Sequence, residues 1–352
     1  MNTYRFFVGR YTKSEEEKGV ALIEFNPENG KLEFLADYWC GPSPSFIIQR
    51  GDFLYAANET ESTGQVSAGR IVCGTGDDTV DLIYLGSTAF PGMHTCHAAV
   101  AGDFLYASNY SSGSLFGVQL LPDGSLGKHC ADIKHEGCGP NSKRQEKAHI
   151  HSANLKPDGS GLIIADLGMD KLMNYQINYI TGELLPDETQ PCISTKPGDG
   201  PRHMVFHPNG KWLYVVTELS LEVIYYRFEK SGSTYAEAGL FPLHPSALSE
   251  ADTAADIHIS PDGQYLYAST RGKNTITHFS IAADGNLIPI GVYPSWGDSP
   301  RNFCITADGK YMLIAHDRSG DVTVCPIHPE TGVLGKKLDC VILPGASCVI
   351  LY

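Results

Sequence analysis

Apolar and polar positions alternate along this chain in short runs. Each run is cut off by Gly, Pro, Asn or Asp before it reaches the length of a helix. Alternation with period two is the mark of a strand with one face buried, and Asx-Gly and Pro clusters supply the dihedrals of tight reversals. The runs also repeat. Gly-Asp-Phe-Leu-Tyr-Ala occurs at 51–56 and again at 102–107. Related phrases follow at 159–165 (GSGLIIA), 210–216 (GKWLYVV), 263–268 (GQYLYA) and 309–315 (GKYMLIA). Their leading glycines are 51, 57, 51, 53 and 46 residues apart. No long stretch has helical periodicity.

Each phrase is the second strand of a hairpin, and a third and a fourth strand follow it. Thr275 to Ile281 followed by the turn Asp284-Gly285-Asn286 is one example. Four short strands per ~50 residues make one propeller blade. Six complete units run from about Ser43 to Pro344. Two pieces remain: Ser347 to Tyr352, which reads as one innermost strand, and the runs Tyr4 to Gly9, Val20 to Phe25 and Leu32 to Tyr38, which read as three strands without an innermost one. Together they complete a seventh blade, closed by pairing the chain ends, which leaves no inner edge unpaired. The expectation is an all-β, single-domain, seven-bladed propeller over 1–352. The loop 134–147 (KHEGCGPNSKRQEK) reads as an excursion between blades.

Superposing the glycine turns puts Ser43, His94, His151, Arg202, Ala255 and Arg301 before the inner strands. It puts Glu59, Tyr110, Leu167, Glu218, Arg271 and Asp317 after the second strands. Both sets lie at the same end of the ring, so His, Arg, Glu and Tyr side chains converge on one mouth of the central channel. Convergent polar groups in a concavity are the default site. Plainer readings stand beside this one. His151 could cap a strand, Arg202 and Glu218 could be a structural ion pair, and Arg271 could be a solvated charge. Asp256 could orient a neighbouring Arg, and His207 and His258 could make hydrogen bonds between blades.

Charge narrows the choice of partner. Lys plus Arg is 26 and Asp plus Glu is 40, a formal net charge of −14. Such a surface repels polyanions, so nucleic acid is not expected, while a small anion needs only a local cationic site. The 10 cysteines contain no C-x-x-C pair and fit free thiols in a reducing cytoplasm. No signal-peptide-like run opens the chain, and no stretch approaches the ~18 apolar residues of a membrane span. No phosphate loop, Gly-x-Ser-x-Gly elbow or Trp-Asp repeat is present. The close histidine pairs His94/His97 and His149/His151 supply two ligands each, so neither metal nor cofactor is expected.

The phrases GPRHMVFHPNGKWLYVVTEL (200–219), HSANLKPDG (151–159), AADIHISPDGQYLYASTR (254–271) and PRNFCITADGKYMLIA (300–315) resemble the bacterial propeller-type 6-phosphogluconolactonase family. That family also contains the fungal carboxy-cis,cis-muconate cyclase. The resemblance covers nearly the whole chain and is strongest from His151 to Ala315. It implies hydrolysis of a sugar lactone, with 6-phospho-D-glucono-1,5-lactone as the expected substrate. A muconate-type lactonising enzyme and a non-catalytic binding propeller are the alternatives. The family's His, Arg, Glu and Arg positions fall on His151, Arg202, Glu218 and Arg271, which become the expected catalytic set. His94, Tyr110, His203, Asp256 and Arg301 are expected around them as substrate-binding residues. His151 is the candidate base. Arg202 could hold the oxyanion or the phosphate, with Arg271 taking the other group. Glu218 could orient Arg202 or protonate the leaving ring oxygen. Thr217 stands where the family often has Asn, and a longer insertion precedes His149; both bear on substrate size. The oligomeric state stays open, with a monomer compatible.

Overall fold

The computed structural model describes residues 3–74, 79–231, 233–245 and 249–352. Seven antiparallel sheets form a ring, and among the described residues there is no α-helix. Six sheets are built from consecutive strands, with inner strands Pro44–Arg50, Thr95–Ala101, Ile150–Leu155, Pro201–Phe206, Thr253–Ile259 and Pro300–Ile305. The seventh takes its inner strand, Ala346–Leu351, from the other end of the chain. That strand pairs with Tyr4–Arg10 in the register Phe6↔Leu351, Val8↔Val349 and Gly9↔Cys348. Tyr11 N donates to Gly345 O at 2.9 Å and Tyr352 N to Arg5 O at 2.8 Å, so the closing pair is bonded at both ends.

The core is divided in the same way as the ring. Each apolar cluster joins two neighbouring blades, and the last, built on Phe6, Val8, Leu313 and Val324, joins the closing blade to the one before it. Tyr55, Tyr106, Tyr214 and Tyr267, all from the repeated phrase, are buried in these seams. Three of them also find a partner for the hydroxyl: Tyr106 donates to Gly182 O at 2.9 Å, Tyr214 to Gly285 O at 2.7 Å and Tyr267 to Gly332 O at 2.7 Å. Buried aromatic mass with a satisfied hydroxyl explains why the phrase keeps Tyr at this position.

One blade departs from the four-strand expectation. Its outer edge is split into Leu184–Pro186 and Cys192–Ser194, both paired with Lys171–Ile177. Pro186 and Pro191 have no N–H to give to a ladder, so the edge breaks between them.

Candidate active site

In all seven inner strands the pairing with the next strand slips at the same end. A bulge of this kind leaves a residue out of the ladder and re-aims its side chain. The bulged residues include His151, Arg202 and Arg301. In the first two blades, however, they are Ser45 and Cys96, not Ser43 and His94. The register there differs by two residues from the one the glycine turns predict. Those hairpins turn through Gly51-Asp52 and Gly102-Asp103 alone, whereas the Arg202 hairpin turns through 208–211. His94 instead sits at the corner leading into its strand with φ 55°, the place occupied by Gly200 with φ 63°. Its Nδ1 lies 2.7 Å from Ser111 Oγ, and it does not join the charged cluster described next.

Glu218 is the hub of the mouth. Its Oε2 accepts from Arg202 Nε at 2.9 Å and lies 3.1 Å from Arg271 Nη2 and 4.0 Å from His151 Nε2. Its Oε1 accepts from Arg144 Nη2. The structure therefore brings the four expected catalytic residues together, from three consecutive blades. Arg202 is almost fully buried, and Nη1 donates to Ala255 O, so it locks the carboxylate in place from beneath. Arg271 Nη2 also donates to Ala254 O at 3.0 Å, while its buried Nε has no partner. Tyr110 closes one wall, its ring 5.5 Å from that of His151 and stacked at 4.4 Å on His149.

Arg144 is the residue that sequence reasoning missed. It belongs to the loop 134–147, which no repeat pattern marks, and the cations of its KRQEK tail were the one available signal. Tyr11, Ser45 and Glu59 form a second, smaller hub: Tyr11 OH and Ser45 Oγ donate to Glu59 Oε2 at 2.7 and 2.6 Å. Arg301 lies 3.7 Å from that oxygen and over the Tyr11 ring, so it serves the second hub, not the first.

His203 and Asp256 lie deeper. His203 Nδ1 is 2.8 Å from Asp256 Oδ1, and the other Asp256 oxygen takes His258 Nε2 at 2.9 Å and Asn302 Nδ2 at 2.6 Å. Asp256 thus pairs with histidines and an amide, not with an arginine. The His258 bond to Asp256 stays within its own strand and does not reach the next blade, whereas His207 Nε2 does reach Gly263 O of the next blade at 3.0 Å. These deeper residues line a channel cavity of about 400 Å³ with Phe46, His97 and Val349.

The electrostatics follow from burial against neighbours. Burial alone would raise the Glu218 carboxyl, yet Arg271, Arg202 and Arg144 together outweigh it and hold the group down at about 2. Burial, then the charges of Arg202, His203, Arg301 and Arg271, push His151 well below the usual imidazole range, so it is neutral at pH 7. Burial and Arg271 lower Arg202 to about 10, which leaves it charged. Four arginines gather here among the carboxylates Glu59, Glu218 and Asp317, with Asp256 deeper beside Arg202, a concentration of cations in a chain of net −14. Among the described residues no group of three or more His, Cys, Asp or Glu is placed to hold a metal ion. No helix among them is long and apolar enough to cross a membrane.

Comparison with known proteins agrees with the seven-bladed fold. The family model described as a lactonase, seven-bladed β-propeller, matches residues 5–351. The chain is 32% identical to a 6-phosphogluconolactonase of Formosa agariphila, over 98% of this chain and 99% of that one. It is 29% identical to a 6-phosphogluconolactonase of Bacillus subtilis, over 99% of this chain and 98% of the other. The solved structure of a periplasmic gluconolactonase from Pseudomonas aeruginosa superposes with a TM-score of 0.90 at 25% identity, covering 99% of each chain.

Proposed function

Because the chain belongs to the lactonase family of seven-bladed β-propellers and is thereby a lactone-hydrolysing enzyme, we propose that its substrate is 6-phospho-D-glucono-1,5-lactone and its product 6-phosphogluconate. The observation that carries this reading is the Glu218 carboxylate shared by three arginines beside a neutral, buried His151.

Water attacks the lactone carbonyl carbon while His151 takes its proton, which needs the neutral imidazole. The tetrahedral oxyanion is met by the guanidinium of Arg271, whose side chain is partly open to the mouth. Collapse breaks the bond between the acyl carbon and the ring oxygen. The leaving alkoxide takes the proton back from His151, because a depressed imidazolium is a strong acid. Glu218, ionised with its carboxyl held at about 2, has no proton to donate. Its work is to stabilise the imidazolium from 4.0 Å and to fix the arginines. The carboxylic acid product then ionises and releases one proton to solution. We place this activity in a reducing compartment such as the cytoplasm, because all ten cysteines are free.

The test is proton release in weak buffer with 6-phosphogluconolactone, against D-glucono-1,5-lactone as the unphosphorylated control. The expected result is a rate well above the spontaneous one, with kcat/KM higher for the phosphorylated lactone. Equal or reversed preference overturns the phosphosugar assignment.

A further inference from the structure

The four arginines at the mouth are not equivalent, and the differences sort their tasks. Arg202 is 1% exposed and commits Nε and Nη1 to Glu218 and to a backbone carbonyl. The Arg271 and Arg301 side chains are 16% and 17% exposed and are tied to opposite hubs. The Arg144 side chain is 36% exposed. It engages only Nη2, with Glu218 Oε1 and with Tyr110 OH at 3.2 Å. A guanidinium carries five N–H donors, so the three on Nε and Nη1 stay without a hydrogen bond among the described residues.

Arg144 is nevertheless held. The next residue, Gln145, is fully buried and donates from Nε2 to Leu167 O at 2.9 Å and to Asp170 Oδ1 at 2.7 Å. Its Oε1 accepts from Asn141 N at 3.1 Å, and its N donates to Asn141 O at 2.7 Å. An anchored loop thus presents a half-satisfied cation at the edge of the site. Outward from it opens a groove of about 630 Å³, lined by Asn141, Ser142, Lys143, Arg144, Leu219 and Thr253. Lys143 adds a second cation there. The acidic groups of the groove, Glu250 and Asp252, lie on its other wall, and Asp252 already accepts from Ser249 and lies 3.9 Å from Lys273.

We propose that Arg144, with Lys143 beside it, is the subsite for the phosphate monoester of the substrate, and that the loop 134–147 is therefore a specificity element. The inference rests on the phosphosugar reading above. A phosphate there satisfies the free donors by charge-assisted hydrogen bonds, while Arg202 and Arg271 stay with the reacting end. The ion pair to Glu218 links the two halves of the site, so the anion is read at the residue that fixes the catalytic hub.

The experiment compares kcat and KM for 6-phosphogluconolactone and D-glucono-1,5-lactone in wild type, Arg144→Gln and Arg144→Lys, with thermal midpoints as the fold control. In Arg144→Gln the phosphorylated substrate is expected to lose roughly ten- to hundredfold in kcat/KM, chiefly through KM, and the plain lactone much less. Arg144→Lys keeps an intermediate preference, since it keeps the charge without the fork. Equal losses on both lactones overturn the subsite and leave Arg144 as a support for Glu218. A wild type without preference for the phosphorylated lactone overturns the phosphosugar reading itself, before any variant is made.

Discussion

Glu218 is 2% exposed and ionised, an arrangement that survives only because its arginines repay the lost hydration. The pairing makes a signed prediction. A carboxyl held at about 2 in the folded protein, below its ordinary 4.5, contributes stability that is fully present above pH ~4.5. That contribution fades as pH falls from there toward 2, and amounts to roughly 3 kcal/mol. Glu218→Gln is therefore expected to lower stability at pH 7 by roughly 3–5 kcal/mol, since it leaves buried guanidinium groups unpaired. Its unfolding free energy should also vary less than that of wild type between pH 4.5 and 2. Denaturant unfolding across that range checks both, and parallel pH curves for the two proteins would contradict the ion-pair account.

At the scale of elements, two devices build the site: the hairpin that returns each second strand to the mouth, and the bulge that turns one inner-strand residue into it. Hairpins were legible in the sequence, because Pro-Asp-Gly, Pro-Asn-Gly and Ala-Asp-Gly turns leave a chemical mark. Bulges leave none here, since His151, Cys96 and Ala255 share no residue type. That is why counting back from Gly51 and Gly102 selected Ser43 and His94 when the register selects Ser45 and Cys96. The loop carrying Arg144 was illegible for another reason: its place is fixed by Gln145 and Asn141 through tertiary hydrogen bonds, which no local pattern encodes. The closing strand makes the element-scale prediction. Deleting 346–352 exposes the Tyr4–Arg10 edge and the apolar faces of Phe7 and Val8, so the protein is expected to aggregate or to lose its cooperative unfolding. A monomeric deletion variant with an unchanged unfolding midpoint would falsify the closure.

For the whole molecule, the ring concentrates at one point what the surface lacks. The chain repels anions at long range with a net charge of −14, while the mouth gathers four arginines, two of them with side chains only 16% and 17% exposed and one 36% exposed. In the proposed reaction, binding of the anionic lactone is a local affair in which positioned charge outweighs the average field. The ring allows this because inner-strand bulges (Arg202, Arg301), the end of a second strand (Arg271) and one loop (Arg144) all open onto the same mouth without disturbing the seams that hold the ring together. The most direct test of the account is the steady-state rate of 6-phosphogluconolactone hydrolysis by His151→Gln, measured by proton release on protein whose thermal midpoint matches wild type. If His151 moves the proton at the Glu218 hub, kcat/KM falls by ~10²–10⁴-fold. A folded His151→Gln protein that hydrolyses the lactone at the wild-type rate contradicts the account, and the chemistry then lies elsewhere in the ring.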